Sequence, residues 1–389
     1  MEKLFPCMEI GSLKKPKWLT RVEKCQPVET EHVADMRAWA EELDINSSQL
    51  ELLLKEPAKN LPEIAKWASL FAVRMQEQAG LDVIWNGEMW RSEMYEDPIG
   101  NTGGMNFVSD YSGTHVWGDN YYRAAECAGQ IQFTKPWHLE EFLHAKRIAK
   151  KPIKVPITDA HTLGEWSYDS HYVKNKDAGG TRARRQEAKR EFILELARGP
   201  LRENIKQLVA NGAKIIQLDG PAAVTDLREY TGRLYDVPLF VEAFNEATKG
   251  IDAEFHSHIC YPPEGGYELL FKYAMEMKKC AQFNLEFANR DLWSLGASAD
   301  ERPGYAALSV FKEHNDGRRV GLGVLDVHND NTEPLFLIED RLLYASKVLG
   351  DSALVIAVPD CGLRTRSLGV AHQKLCSLVA GADLARAVS

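Results

Sequence analysis

What most constrains this chain is a recurring pattern without a recurring sequence. Short apolar, β-branched runs are each followed by a longer stretch with helical spacing. Eight such runs occur: Pro6–Gly11, Leu81–Trp85, Ile153–Ile157, Lys214–Leu218, Ala253–Ile259, Phe283–Phe287, Val320–Leu325 and Leu354–Val358. Between them lie segments such as Leu61–Gly80 and Leu201–Ala213, with apolar residues at i, i+3 and i+4 and a Gly or Asn-Gly at the end. Strand alternating with helix implies a parallel sheet, and eight such units predict an α/β fold of the closed (β/α)8, TIM-type barrel. An open doubly wound sheet is the alternative, but no G-x-G-x-x-G follows the first run. One barrel accounts for residues 1–389, with two excursions. A Tyr- and Trp-rich insert within 105–135, after the second strand, is expected as a β-hairpin. Residues 165–195 are expected as a mobile lid loop, with the Trp166–Gly180 stretch at its heart, and a helix.

Composition narrows the function. Hydrophobic residues make up 44% and charged residues 26%, which suits a globular protein with a sizeable core. A net charge of −9 argues against a nucleic-acid surface and against an anionic membrane surface. The basic run Thr181–Arg190 is interleaved with Gln, Glu and Ala, as on a solvated helix face. No apolar run approaches the roughly 18 residues of a membrane span, and the N-terminus lacks a signal-peptide pattern. Seven scattered cysteines, an odd number, fit free thiols or metal ligands in a reducing cytoplasm.

A barrel places its chemistry at the C-terminal ends of its strands. Just past the eight runs stand Ser12, Glu88, Asp159 or His161, Asp219, His258 with Cys260, Glu286, Asp326 with His328, and Asp360 with Cys361. His256, His258 and Cys260 alternate along one strand, so they share a face. Glu286 ends the next strand and Cys361 the last, giving a Cys2HisGlu set whose softness favours zinc over magnesium or calcium. His256 faces the same way and is expected to support the ligands rather than join them. Singly, each has a plainer reading: a buried Cys packs, and Glu286 pairs with Arg290.

The stretches "HSHICY", "FNLEFANR", "GVLDVH" and "VPDCGLRTR" resemble the C-terminal catalytic barrel of the cobalamin-independent methionine synthases, over most of the chain from Ile10 onward. The resemblance implies Zn2+ held by His258, Cys260, Glu286 and Cys361. It implies a clamp on the amino-acid carboxylate through Ile10 and Ser12, and carboxylates Glu88 and Asp219 on the ammonium group of homocysteine. His328, beside Asp326, is implied in proton transfer, and Trp166 lies where an aromatic covers the methyl donor. Two acids suit a zwitterionic amino acid, whereas a sulfonate thiol such as coenzyme M would want Lys or Arg. Methylation of that other thiol, and a non-catalytic zinc or corrinoid-binding module, are the rival readings.

The sequence departs from the family pattern at three places. Family synthases of about twice this length carry an N-terminal barrel that helps hold folate; "DEPA" is "DGPA" at Gly220, "HGE" is "NGE" at Asn86, and the Ser after the proton-transfer His is Asn329. These changes are expected on the donor side. They resemble the short core forms, which implies methylcobalamin or a methylated corrinoid protein as donor. Methyltetrahydrofolate, whose nitrogen leaving group needs an acid, is the alternative that His328 keeps open.

Overall fold

The computed structural model describes all residues except 1–2, 109–113, 118–119, 176–181, 224–236, 263–265 and 315. Its core is a parallel barrel. We label the staves β1 (residues 7–8), β2 (83–84), β3 Lys154–Thr158, β4 Ile215–Asp219, β5 Glu254–Ile259, β6 Cys280–Leu285, β7 Arg319–Leu325 and β8 Val355–Pro359. Strands β3 to β8 form one sheet in sequential order. Three parallel bridges complete the ring: Cys7 to Ala357, Met8 to Val83, and Ile84 to Ile153. The fold is thus the (β/α)8 barrel expected from the sequence. Strands β3 and β8 are buried along their whole length, as barrel staves covered on both faces must be.

The first two runs are longer in sequence than as ladders, and side chains explain the difference. Asp82 Oδ2 accepts the Cys7 N–H at 2.9 Å, and the Asp82 N–H donates to the Cys7 carbonyl at 2.8 Å. Helix α1, Pro57–Ala79, contributes Gln76, whose Oε1 accepts the Trp85 N–H at 3.0 Å while its Nε2 donates to the Trp85 carbonyl at 2.5 Å. Backbone groups that a longer strand would pair are satisfied by these two residues instead. Helix α1 stops at Gly80, whose φ of +90° closes it in a left-handed cap.

By packing, the chain divides into two compact units: residues 1–90, 143–154 and 284–389 in one, 91–142 and 155–283 in the other. The divisions fall at the start of β3 and within β6. In the second unit the insertion is a hairpin of Thr102–Phe107 against Ala125–Phe133, antiparallel, with a register shift between Gly103 and Met105. Gly104 sits at that shift with φ +85°; a β-carbon there would lie 2.4 Å from the Gln130 carbonyl oxygen. The segment from Trp166 holds a strand, Ser167–Tyr168, paired parallel to Ala125–Glu126, and a helix, Ser170–Asn175. Residues 176–181 of the expected lid lie outside the described residues. The basic run belongs to helix α3, Arg182–Leu196, preceded by α2, Ala160–Glu165. Later helices used below are α4 Val237–Thr248, α5 Leu335–Leu349 and α6 Leu368–Val388.

Candidate active site

Strand β5 delivers His258 at its end and Cys260 just beyond; the two are 3% and 4% exposed. Tyr261 follows with φ +55°, a conformation non-glycine residues seldom adopt, which turns the chain sharply after the cysteine. Cys361 lies two residues past β8. One ligand atom from each of His258, Cys260 and Cys361 lies within 4.8 Å of the others. All seven cysteines are free, so Cys260 and Cys361 carry thiols rather than a disulfide. Two sulfurs and an imidazole brought from two strand ends are a donor set that suits a soft divalent metal, and the residues fit such an ion.

Glu286 is not among the three converging groups. Its Oε1 accepts from Asn289 Nδ2 at 2.5 Å and lies 3.9 Å from Arg290 Nη2 and 3.8 Å from His328 Nε2. Hydrogen bonding to Glu286 raises the His328 pKa, against the opposing effect of partial burial. Asp326 organises the turn that carries this histidine. Its Oδ1 accepts the His328 N–H at 2.8 Å, its Oδ2 accepts from Asn329 Nδ2, and its own N–H donates to Glu333. Both carboxylate oxygens are therefore engaged in shaping the loop, which gives Asp326 a positioning part in the turn. Asn329, expected to face the donor, is tied into the same turn.

Asp360 was legible only as a strand-end acid. It is completely buried and accepts the N–H groups of Phe287, Ala288 and Asn289 at 2.8–2.9 Å. It fastens the loop after β6 to the residue next to Cys361. Gly323 makes room for it, since a β-carbon there would stand 2.1 Å from Asp360 Oδ1.

Ile10, Ser12 and Glu88, expected to grip the amino acid, all lie within the first unit. Ser12 Oγ lies 2.1 Å from where a β-carbon of Gly362 would be, so Ser12 abuts the residue following Cys361. The Leu13 N–H donates to the Gly87 carbonyl at 3.1 Å, tying the turn after β1 to the turn after β2. Glu88, in that second turn, has φ +61°, held by its N–H donating to Asn86 Oδ1 at 3.0 Å. Strained backbone at a charged strand-end residue is typical of binding positions. Asn86 is fully buried, with Nδ2 3.4 Å from Ser69 Oγ, so it braces Glu88 and does not face a donor as expected.

One participant was missed. Glu9, in the middle of the first apolar run, is 1% exposed, and neither carboxylate oxygen has a partner among the described residues. Burial, opposed by Lys154 and aided by Glu88 and Cys361, pushes its pKa to about 8. The signal was a lone acid inside a buried strand.

In the second unit, Asp219 is 8% exposed and its Oδ1 accepts from Gln217 Nε2 at 2.7 Å. Trp166 is 6% exposed and stacks on Tyr122 of the insertion, centroids 4.6 Å apart and planes 7° from parallel. Its indole face is thus covered by this chain's own ring. His256 donates or accepts at Glu254, 2.7 Å away, with the other histidine of its face at the strand end.

The family model for "Cobalamin-independent synthase, Catalytic domain" matches residues 38–384. The chain belongs to the cobalamin-independent methionine synthase family. A Methionine synthase from Thermoplasma volcanium is 34% identical over 336 residues, covering 83% of this chain and 90% of that one. One from Pyrococcus horikoshii is 32% identical over 386 residues, covering 98% and 93%. A B12-independent methionine synthase from Shewanella sp. W3-18-1, in complex with selenomethionine, shares the fold with a TM-score of 0.70 at 22% identity, covering 99% of this chain and 98% of that one. As a methionine synthase of this family, the chain is a homocysteine methyltransferase. No helix among the described residues is long and apolar enough to cross a membrane.

Membership overturns one expectation, the methylcobalamin or corrinoid-protein donor, because the family is defined by its independence of cobalamin. Asn86 and Asn329 are bonded into turns, and the position of Gly220 is crowded: a β-carbon there would stand 2.6 Å from Phe240 Cε2 and 2.8 Å from Asp159 Oδ2.

Proposed function

We propose that this methionine synthase transfers the methyl group of 5-methyltetrahydrofolate to homocysteine, with zinc held by His258, Cys260 and Cys361 and completed by Glu286. The observation that carries the reading is the convergence of the two thiols and the imidazole, together with Ser12 set against Gly362 beside Cys361. Zinc at such a site lowers the pKa of a coordinated thiol, so that the sulfur is a thiolate at neutral pH.

The chain's own groups do the rest. Ser12 and the backbone at Ile10 hold the substrate carboxylate; Glu88 and Asp219 hold the ammonium group. An amino acid fixed at both charges presents its sulfur in one orientation, which converts a bimolecular encounter into a positioned one. His328 supplies a proton to the nitrogen from which the methyl departs, its loop set by Asp326. Trp166 packs beside the donor.

The test is methionine formation from homocysteine with 5-methyltetrahydrofolate, alongside zinc content. Turnover, with one tightly held zinc lost in Cys260→Ser and Cys361→Ser, is the expected result. Failure to form methionine from the folate would overturn the donor; metal content unchanged in both variants would overturn the site. Coenzyme M should not compete, and Glu88→Gln should raise KM for homocysteine by about tenfold or more, the loss of one charge-assisted hydrogen bond.

A further inference from the structure

The loop after β6 is built for something that none of the roles above requires. Residues 291–302 leave the barrel and come back to their point of departure, closing an Ω-loop. Arg302 Nη1 donates to Asp291 Oδ2 at 2.7 Å, and a β-carbon on Gly304 would stand 2.7 Å from the Asp291 amide nitrogen. Loops of this kind are usually packed by their own side chains. This one is filled by guanidinium groups. Arg302 and Arg341 of α5 are both fully buried; Arg341 Nε also donates to Asp291 Oδ2, at 3.0 Å. The two arginines take the carbonyls of Ser294 and Leu292, and the Gly296 N–H donates to Asp340 Oδ2 at 2.6 Å, so the loop backbone is pinned to α5 at successive points.

The large apolar side chains of the loop point outward instead. Leu292, Trp293 and Leu295 are 49%, 43% and 57% exposed, and Leu335 and Phe336, in the first turn of α5, are 36% and 56% exposed. Phe336 lies one helical turn before Asp340, the residue that holds Gly296, so the loop and the helix start stand side by side. Of the ten large apolar side chains that are exposed among the described residues, five gather here, all within the first unit. Single exposed apolar residues are ordinary, but a gathered set on a pinned backbone marks a contact surface.

The area says what kind of contact. Five large side chains, each about half exposed, present roughly 500 Å² of apolar surface. A partner has to bring a face of like size and character, and a second copy of this chain brings one by symmetry. Two such faces about a two-fold axis bury about 1,000 Å² together, the lower bound for a specific interface. Charge points the same way. At a net charge of −9, two copies repel over most of their surfaces, so they can meet only where charge is absent, and none of these five side chains carries any.

We propose that the chain forms a two-fold dimer through the Ω-loop 291–302 and the first turn of α5, with Trp293, Leu295 and Phe336 at the centre of the contact. Buried Arg302 and Arg341 are the frame that keeps these side chains turned outward.

Sedimentation equilibrium of the zinc-loaded full chain tests it. The expected result is a dimer of 43.8 kDa chains, with a Kd of about 10 µM or tighter. Leu295→Glu and Phe336→Glu each place two like charges in the contact, one from each copy, and should weaken it by about 100-fold or more. Both positions are more than half exposed, so the melting temperature of each variant, measured alongside, should stay within about 2 °C of wild type. Leu52→Glu, at a position 62% exposed and outside the patch, should leave the Kd within about twofold. A wild type that stays monomeric at about 200 µM would overturn the dimer and leave the face to a different protein. A dimer that both Leu295→Glu and Phe336→Glu leave intact, or that Leu52→Glu weakens as much as they do, would overturn this surface as its seat.

Discussion

Residue by residue, the site depends on acids that do not touch substrate. Asp360, fully buried, takes three backbone N–H groups, and removing it would leave those donors unsatisfied. Asp360→Ala should cost about 3–5 kcal/mol of stability. Thermal or denaturant unfolding measures this, and a loss under about 1 kcal/mol would contradict the role. Zinc retention should fall too, since the loop at Glu286 and the approach to Cys361 lose a common anchor. The converging ligands were legible because metal chemistry restricts residue type: two thiols and an imidazole at strand ends stand out. Glu286 was less legible, because Asn289, Arg290 and His328 are neighbours only in the fold. Asn86 and Gly220 misled for the same reason: the sequence displays a missing group but not Ser69, Asp159 or Phe240 beside it.

At the scale of elements, the staves with both faces buried wrote themselves into the sequence as continuous apolar runs. The first two did so with their ladders overstated, since Asp82 and Gln76 make bonds that no periodicity encodes. Gln76→Leu removes two hydrogen bonds from the buried Trp85 backbone; a loss of about 2–4 kcal/mol is expected, with Glu88 displaced and KM for homocysteine raised. Unaltered stability and KM would show that the clamp on Trp85 is dispensable. The hairpin was legible from its aromatic content, but its use was not. Tyr122 reaches Trp166 across 44 positions of sequence, a distance over which one-dimensional pattern is silent.

For the molecule as a whole, buried neutral histidines set the response to acid. Burial, reinforced by Arg91, holds His138 well below the ordinary histidine pKa; burial also lowers His144 and His372. In the unfolded chain these rings take up protons near pH 6.5, while the folded chain resists doing so. The unfolded state therefore binds more protons as pH falls, and stability present above that pH drains away below it, by up to about 1.4 kcal/mol per pH unit for each such group. His138→Gln should lose less stability than wild type between pH 7.5 and pH 5; parallel curves would show that His138 is not held neutral. Barrel closure was inferred from the count of eight runs, but which residues make the joint was beyond pattern alone.

That joint has a consequence for how the protein is made. Cys7 pairs with Ala357, and Arg386 of α6 donates to the carbonyls of Leu4 and Phe5 at 2.7 Å. The first stave of the barrel is therefore held by the last stave and by the helix that follows it. Until β8 is made the first stave waits with one edge unpaired, and the ring can shut only once that strand is in place. Native-state exchange should find the amides of residues 7–8 and 83–84 opening before those of β5 to β7, because few ladder bonds guard this seam. A nascent chain stalled before residue 355 would be an open sheet with its Cys361 not yet made, so ring closure and the meeting of His258, Cys260 and Cys361 arrive together.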